Sequence, residues 1–465
     1  VLDPAALAAA VVENAENAEN AAACQSVPCR IGLLGLGNVG SAFARHTREA
    51  ASHLSVRGFA PIVATALVRT TSRPRAASAF VTSITSDVDA FFAEPVDVIV
   101  EVLGSVEPAY TLVRRALERG IPVVTGNKSL IAACGDELAQ LARRRATALR
   151  YEASCIAGVP FLGAFERRPL ASRASGVTAI LNGTSNSILT AMTSGATFDA
   201  ALAETERRGF AEPDPSMDIS GADAAEKLAI LVRVFGRLIV DPASLPLESL
   251  AGIDSADIAA AAAFDGAIKP VALASWHGRD VQAFVGPAFV AGAHPLARVN
   301  GITNGIVISP VRIRPGSGGQ PAPGAVCFTG PGAGPDVTAV TLLDDVAELM
   351  AERGVRAPAP DTSQTAASIA RPDSPWFVRL QGAAGPSTGL RAGQIGLRPG
   401  EADVADLLGS YGIWSTRLAR RGDRTYVLVC SVGYRRVRSA LDALQAATGA
   451  AAAAFPVVSG EDPGC

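Results

Sequence analysis

Arg30-Ile-Gly-Leu-Leu-Gly35-Leu36-Gly37-Asn38-Val39-Gly40 decides the first part of the fold. The run is apolar up to a Gly-x-Gly-x-x-Gly turn, and Ser41 to Ala51 after it is helix-compatible. Three glycines between a strand and a helix let the backbone approach a pyrophosphate, with the free N–H groups of the helix start facing the anion. Alternation continues downstream. Pro61–Val68 and Val96–Val102 read as strands, Glu107–Arg119 as a helix and Ile121–Thr125 as another strand. Such βαβ alternation predicts an α/β fold with a parallel, doubly wound sheet, and in that context the glycine motif reads as a dinucleotide site rather than a plain turn.

The end of the second strand bears on which dinucleotide. An NAD enzyme usually places Asp or Glu there for the ribose 2′-OH. Here Ala66-Leu-Val-Arg69-Thr-Thr-Ser-Arg73-Pro-Arg75 holds no acid. Arginines suit a 2′-phosphate, so NADP(H) is the expected cofactor, Arg69 its leading contact, and NAD(H) the alternative. Solvated surface charge is the competing reading of these arginines.

The chain has 465 residues, 49% hydrophobic and 18% charged, with a net charge of −3. That length has room for roughly three domains. No basic stripe points to nucleic acid, and no apolar run reaches the roughly 18 residues of a membrane span. Residues 1–29 are Ala-rich and acidic and read as a frayed or disordered extension without the pattern of a signal peptide. Seven scattered cysteines suggest neither a disulfide framework nor zinc, and the cytoplasm is the default compartment.

Lysine is scarce. Among 41 basic residues only Lys128, Lys227 and Lys269 are lysine. Arginine does not deprotonate in proteins, so a chain this biased towards it keeps lysine where an amine is needed, or by compositional accident. Lys128 follows the Ile121–Thr125 strand, at the carboxyl end, outside which doubly wound sheets bind ligands. A solvated loop lysine is the bland alternative. Lys227 closes the densest polar stretch, Glu212-Pro-Asp214-Pro-Ser-Met-Asp218-Ile-Ser-Gly221-Ala-Asp223-Ala-Ala-Glu226-Lys227. The prolines make its first half a loop, and a helix begins near Ser220 or Gly221 and runs to about Phe235. Asp223 and Lys227 then share one helical face, as a surface pair or as part of a site. The acids suit an ammonium group of a substrate, and an amine among carboxylates can trade a proton with a carbonyl oxygen. Asn182-Gly183-Thr184-Ser185-Asn186 offers neutral donors.

These residues resemble the homoserine dehydrogenase family. The resemblance runs from about Arg30 to Leu349 through GLGNVG (35–40), VVTGNKSLIA (123–132), YEASCIAGVP (151–160), ILNGTSNSILTAM (180–192), GFAEPDPSMDISGADAAEKLAIL (209–231), AHPLARVNGITNGI (293–306) and GPGAG (330–334). It implies reversible NAD(P)-dependent interconversion of aspartate 4-semialdehyde and homoserine, on the route to threonine, methionine and isoleucine. It implies a Rossmann-type domain over 30–150, completed by about 330–355, and an α+β catalytic and dimerisation domain over 151–329. Lys128 and Lys227 would flank the reacting carbonyl as catalytic amines, with Glu212, Asp218, Asp223, Asn182, Gly183 and Thr184 binding substrate. The cofactor would meet Gly35, Leu36, Gly37, Asn38, Val39, Gly40, Arg69, Gly104, Ser105, Lys128, Gly332 and Gly334. Glu152 and the carbonyls of Cys155, Ala157 and Val159 match the family's monovalent-cation loop, fit for Na+ or a similar ion. Glu152 as a purely structural carboxylate is the alternative. Lys269 takes no role in chemistry. The family implies a homodimer or tetramer. Departures are Gly126 where alanine is usual, Ser187 where tyrosine is common, and an insertion over 309–326.

After a linker at 356–373, residues 374–465 read as strand, helix, two strands, helix and strand, a βαββαβ order that resembles an ACT-like regulatory domain. Its usual ligand turn is replaced by a Gly-rich insertion over 382–400, which leaves threonine a candidate effector and a degenerate dimerisation module the alternative. Two rival functions stand beside the main reading. One is a related NADP oxidoreductase acting on another amino-acid-derived aldehyde or alcohol. The other is a non-catalytic homologue, against which the retained lysines and acids argue.

Overall fold

The computed structural model describes residues 27–55, 58–166, 174–210, 214–310, 325–352, 363–381, 408–409, 411–421, 423–448 and 451–459. The extension read over 1–29 lies outside them as far as residue 26. The chain divides into two compact units: Val1–Pro160 with Ala333–Asp361, and Phe161–Gly332 with Thr362–Cys465.

The first unit carries β1 (Val27–Leu34), β2 (Phe59–Leu67), β3 (Val81–Thr85), β4 (Val98–Glu101), β5 (Val123–Thr125) and β6 (Leu149–Arg150). They form a parallel sheet in the order β3-β2-β1-β4-β5-β6. Strand order reverses between β1 and β4, which is where a doubly wound sheet opens a ligand crevice. Both faces of the sheet are covered, so the strands are apolar at successive positions. Ile31, Leu33, Val98 and Val100 pack on one side with Phe43, Leu342 and Val346. Leu34 and Ile99 pack on the other with Val113, Leu117 and Leu138. The helices that cover them include α1 (Asn38–Glu49), α2 (Ala109–Glu118), α3 (Lys128–Arg144) and the later helix Pro335–Glu352.

The second unit holds β7 (Ala174–Ile180), α4 (Gly183–Thr193), α5 (Ala222–Leu231), β8 (Leu238–Ile239), α6 (Ser255–Ala263), β9 (Gly266–His277), β10 (Asp280–Ala291), β11 (Asn304–Pro310) and β12 (Val326–Gly330). It continues through β13 (Gln364–Thr365), β14 (Ser368–Ala370), β15 (Ser374–Gln381), β16 (Ser415–Arg421), β17 (Arg424–Val432), α7 (Tyr434–Thr448) and β18 (Ala451–Val458). Among the described residues a ten-stranded sheet runs β12-β11-β7-β9-β10-β18-β15-β17-β16, with β14 beside β10.

Here the structure differs from the sequence reading. The stretch read as a linker contains β13 and β14, and the C-terminal strands extend the sheet of the preceding domain. β10 and β18 pair in parallel through Phe289–Val457 and Val290–Val458. The reason is a shared core. Phe377 stacks on Phe289 at 5.1 Å and meets Phe264 edge-on at 5.4 Å. Asp257 of α6 is fully buried and needs partners, since a buried charge left unpaired costs about 3–5 kcal/mol. Those partners are Arg379 at 2.6 Å and the Tyr426 hydroxyl at 3.0 Å, both on the C-terminal strands. Burial, with the Asp257 charge beside it, pushes the Tyr426 phenol up to about 12. The helix read over 402–411 falls mostly outside the described residues.

Candidate active site

In the first unit the three glycines have separate physical duties. Gly35 sits at φ 103°, a conformation open to glycine, and its N–H donates to Leu67 O at 3.1 Å. A Cβ on Gly40 would lie 2.1 Å from Gly35 O, so the absence of a side chain lets α1 close on the strand. A Cβ on Gly37 would meet open space, and Gly37 caps α1 with no side-chain hydrogen bond. Uncapped N–H groups beside open space fit a pyrophosphate. Leu36 is buried, Asn38 is exposed and Val39 is half-buried. At the end of β2, Arg69 and Arg73 are exposed. Arg75 is committed elsewhere, because its guanidinium donates to Arg73 O and Thr70 O, both at 2.9 Å.

The loops after β4 and β5 are tied to each other. Glu101, the last residue of β4, is fully buried. Its Oε1 accepts from Leu103 N at 2.6 Å and Asn127 Nδ2 at 3.2 Å, and its Oε2 accepts from Thr125 Oγ1 at 2.6 Å. Burial pushes its carboxyl up, and these hydrogen bonds oppose the push. Asn127 caps α3 by accepting from Leu130 N at 3.1 Å, and its Nδ2 also donates to Ser105 O at 2.8 Å. Lys128 is the first residue of α3 and half-buried. Gly104 sits at φ 83° with open space where a Cβ would be.

Glu152, Cys155, Ala157 and Val159 are all buried in the turn after β6. The turn is anchored to the helix Pro335–Glu352: Glu152 N donates to Asp345 Oδ2 at 3.1 Å and Gly158 N to Thr341 Oγ1 at 2.9 Å. Among the described residues no group of three His, Cys, Asp or Glu side chains is placed to hold a metal. One carboxylate with three carbonyls is a different, hard-cation donor set, and these residues can supply it.

In the second unit Asn182 is the hub. It caps α4 by accepting from Ser185 N at 2.8 Å, and its Nδ2 donates to Asp218 Oδ1 at 2.6 Å and Asp223 Oδ2 at 2.8 Å. Asp223 Oδ2 also accepts from Lys227 Nζ at 2.9 Å, and Lys227 Nζ donates to Leu181 O at 2.8 Å. Lys227 is 8% exposed and Asp223 7%, so this i,i+4 pair is no surface ornament. An exposed pair contributes about 0–1 kcal/mol, whereas breaking a buried one costs about 3–5 kcal/mol. Burial pushes the Asp218 carboxyl up, and the Asp223 charge adds to this. Gly221, at φ 86°, turns the chain from the Asp218 helix into α5. Beyond Leu231 the helix continues as a π turn over Val232–Gly236.

Two other expected substrate residues, Thr184 and Gly183, also make close contacts within the protein. Thr184 Oγ1 donates to Phe210 O at 2.7 Å, and a Cβ on Gly183 would lie 2.7 Å from Ile302 O. Glu212 lies outside the described residues. Gly332 packs on Asn304, where a Cβ would come within 2.2 Å of the side chain, and sits at φ 77°. Gly334 is at φ 120°, and the chain passes from one unit to the other between Gly332 and Ala333. The sequence reading missed Glu101 and gave Asn127 no role. Asn127 lies inside the quoted motif VVTGNKSLIA and Glu101 inside the strand read over Val96–Val102, and an acid closing a buried strand was the available signal.

Lys269 is 3% exposed, and Nζ donates to Val299 O and Asn300 Oδ1, both at 2.7 Å. Asn186 Nδ2 donates to the same Val299 O and to Thr303 O, so the two side chains clamp one turn. Burial pushes Lys269 down from 10.5 to about 8. Between those values the unfolded chain holds more protons than the folded one, so stability rises with pH across that window. Denaturant titrations from pH 7 to pH 10.5 are expected to show wild type gaining on Lys269→Gln above pH 8. Parallel curves for the two proteins would remove this ionisation from the account.

Two family models match: "Homoserine dehydrogenase, NAD binding domain" over residues 35–152 and "Homoserine dehydrogenase" over 160–347. The homoserine dehydrogenase of Mycobacterium tuberculosis is 36% identical over 332 residues, which cover 69% of this chain and 71% of that protein. A crystal structure of the homoserine dehydrogenase of Thiobacillus denitrificans matches with a TM-score of 0.80 at 26% identity, covering 93% of this chain and 99% of that one. A hyperthermophilic archaeal homoserine dehydrogenase in complex with NADPH matches with a TM-score of 0.57 at 26% identity, over 70% of this chain and 98% of that one.

Proposed function

The chain belongs to the homoserine dehydrogenase family, and on that premise we propose how its residues divide the work among cofactor, substrate and proton. The enzyme is an NAD(P)-dependent oxidoreductase that interconverts aspartate 4-semialdehyde and homoserine. When bound, the reduced nicotinamide supplies the hydride. Lys227 supplies the proton to the carbonyl oxygen as that hydride arrives. The carrying observation is the state of its ammonium: among the described residues two acceptors, Leu181 O and Asp223 Oδ2, take two of three N–H donors. The third is left for a ligand.

Asp223 and Asn182 fix Lys227, while Asp218 with Glu212 holds the substrate ammonium. Lys128 serves the same reaction from the first turn of α3. NADP(H) is the preferred cofactor, with Arg69 at the 2′-phosphate; the exposed arginines and the lack of an acid after β2 support this. The buried turn at Glu152, Cys155, Ala157 and Val159 takes a sodium-like ion. The C-terminal strands, in the antiparallel order β18-β15-β17-β16, support an ACT-like reading. The threonine expectation falls on 382–400, outside the described residues. Self-association into a homodimer or tetramer and a cytoplasmic place in amino-acid biosynthesis complete the reading. Among the described residues no helix is long and apolar enough to cross a membrane.

Oxidation of NADPH or NADH in the presence of aspartate semialdehyde tests this. Wild type is expected to turn over with kcat/KM at least about tenfold higher for NADPH, the scale of one charge-assisted contact. Lys128→Ala and Lys227→Ala are expected to lose at least about 10²-fold in kcat. A clear NADH preference refutes the Arg69 assignment, and full activity in either lysine variant refutes that lysine's role.

A further inference from the structure

We propose that Glu101 is a positioning residue that sets the cofactor turn at Gly104–Ser105 and the Asn127–Lys128 turn as one rigid element. The inference rests on reading the first unit as the cofactor-binding unit. Glu101 ends β4, and its carboxylate receives donors from both loops. Leu103 N–H, at 2.6 Å, comes from the loop after β4, and burial of the carboxyl is further offset by a bond from the Gly104 backbone. Thr125 Oγ1 at 2.6 Å and Asn127 Nδ2 at 3.2 Å come from the end of β5. Its own backbone oxygen accepts from Gly126 N at 3.2 Å.

Leu103 N and Asn127 Nδ2 can only donate, so Oε1 is an acceptor, and the Thr125 hydroxyl completes the set at Oε2. The donors are in turn committed. Thr125 Oγ1 accepts from Asn127 N at 2.9 Å while its hydroxyl donates to Glu101 Oε2. Asn127 Nδ2 spans Glu101 and Ser105 O, while its Oδ1 caps the helix that begins with Lys128. A small rotation of Glu101 therefore moves Gly104, Ser105 and the start of α3 together. The carboxyl is also bonded to Asn127, the N-cap residue of α3, the helix end that favours acidic groups. Other roles fit less well. A general acid would have to reach a ligand, and Glu101 is fully buried. A packing residue would be apolar, since an uncompensated carboxylate in that place is unfavourable.

Glu101→Gln keeps the shape but removes the carboxylate: its NH2 meets either the donor-only Leu103 N and Asn127 Nδ2 or the Thr125 hydroxyl, whose proton must then turn away. The loops should separate by the width of a lost hydrogen bond, and orientation errors of about 1 Å cost on the order of 10²-fold in rate. The test uses the full chain and two readouts, NADPH binding by fluorescence and steady-state kinetics with aspartate semialdehyde. Glu101→Gln is expected to weaken NADPH binding at least about tenfold and lower kcat about 10²-fold, with semialdehyde KM changed less than about threefold. Thr125→Val should reproduce the direction of both changes without altering charge. Thr125→Ser, which keeps the hydroxyl, should restore NADPH affinity to within about threefold of wild type. If Glu101→Gln does not fold, the Thr125 pair decides: valine behaving like serine overturns the proposal. A folded Glu101→Gln with wild-type affinity and kcat overturns it as well. Wild-type protein that binds NADPH but does not reduce the semialdehyde would instead count against the substrate reading, and the binding arm would still judge Glu101.

Discussion

Lys227→Arg is expected to lower kcat by at least about 10³-fold while cofactor affinity holds near wild type. Charge is conserved, so a purely electrostatic role would predict a mild effect. Two physical facts predict a severe one. The ammonium sits 8% exposed between Leu181 O and Asp223 Oδ2 at 2.8 and 2.9 Å, a slot for one small cation. A planar guanidinium there must push on Asn182 and Asp218, which share the same network, at a typical overpacking cost of about 1–3 kcal/mol. Guanidinium also gives up no proton at usable pH, so the donor step fails even where the fit is tolerated. The check is kcat and KM for semialdehyde, with circular dichroism and NADPH binding as controls. A folded variant keeping more than about a tenth of wild-type kcat would show that charge alone suffices, and the proton-transfer role would fall.

Gly40→Ala is expected to abolish cofactor binding and to lower stability, and Gly37→Ala to abolish binding alone. The added methyl at position 40 would sit 2.1 Å from Gly35 O and 3.0 Å from Gly35 C, both backbone atoms with no rotamer to yield. Helix α1 must then back away from β1, taking with it the N–H groups that would meet the pyrophosphate. A loss of about 1–3 kcal/mol in stability is expected from overpacking. At position 37 the methyl meets nothing within 4 Å, and φ is −86°, ordinary for any residue. Stability should be unchanged, yet the methyl occupies the space in front of the uncapped helix start. Thermal melts and NADPH titrations of both variants check this. Wild-type affinity in Gly37→Ala would mean that the pyrophosphate lies elsewhere.

Local rules made much of the first unit legible in the sequence. A strand, three spaced glycines and a helix form a short-range unit, and near-continuous apolar runs are visible over Pro61–Val68 and Ile121–Thr125. The boundaries are less so: β1 begins at Val27 and β4 is only Val98–Glu101. The short strand β3 carries a polar Val-Thr-Ser-Ile-Thr pattern that does not stand out as buried. For the second site, the i,i+4 spacing puts Asp223 and Lys227 on one face, and the acids draw attention. Nothing local makes Asn182 the residue that joins Asp218 to Asp223, because those partners are 36 and 41 positions away.

What the amino-acid sequence determined by itself was chemistry at short range: a glycine turn fit for a phosphate, lysines kept in a chain that otherwise uses arginine, and acids beside one of them. Tertiary structure alone decided burial and partnership. It made Lys227–Asp223 an interior pair, gave Lys269 a structural bond to Val299 O, tied Glu101 to the Asn127 loop and ran the C-terminal strands into the preceding sheet. The physical reason is one of range. Turn geometry and helical periodicity act over a few residues and are written in neighbouring letters. Desolvation and hydrogen-bond satisfaction depend on whatever the folded chain brings within about 3 Å, at any separation in sequence.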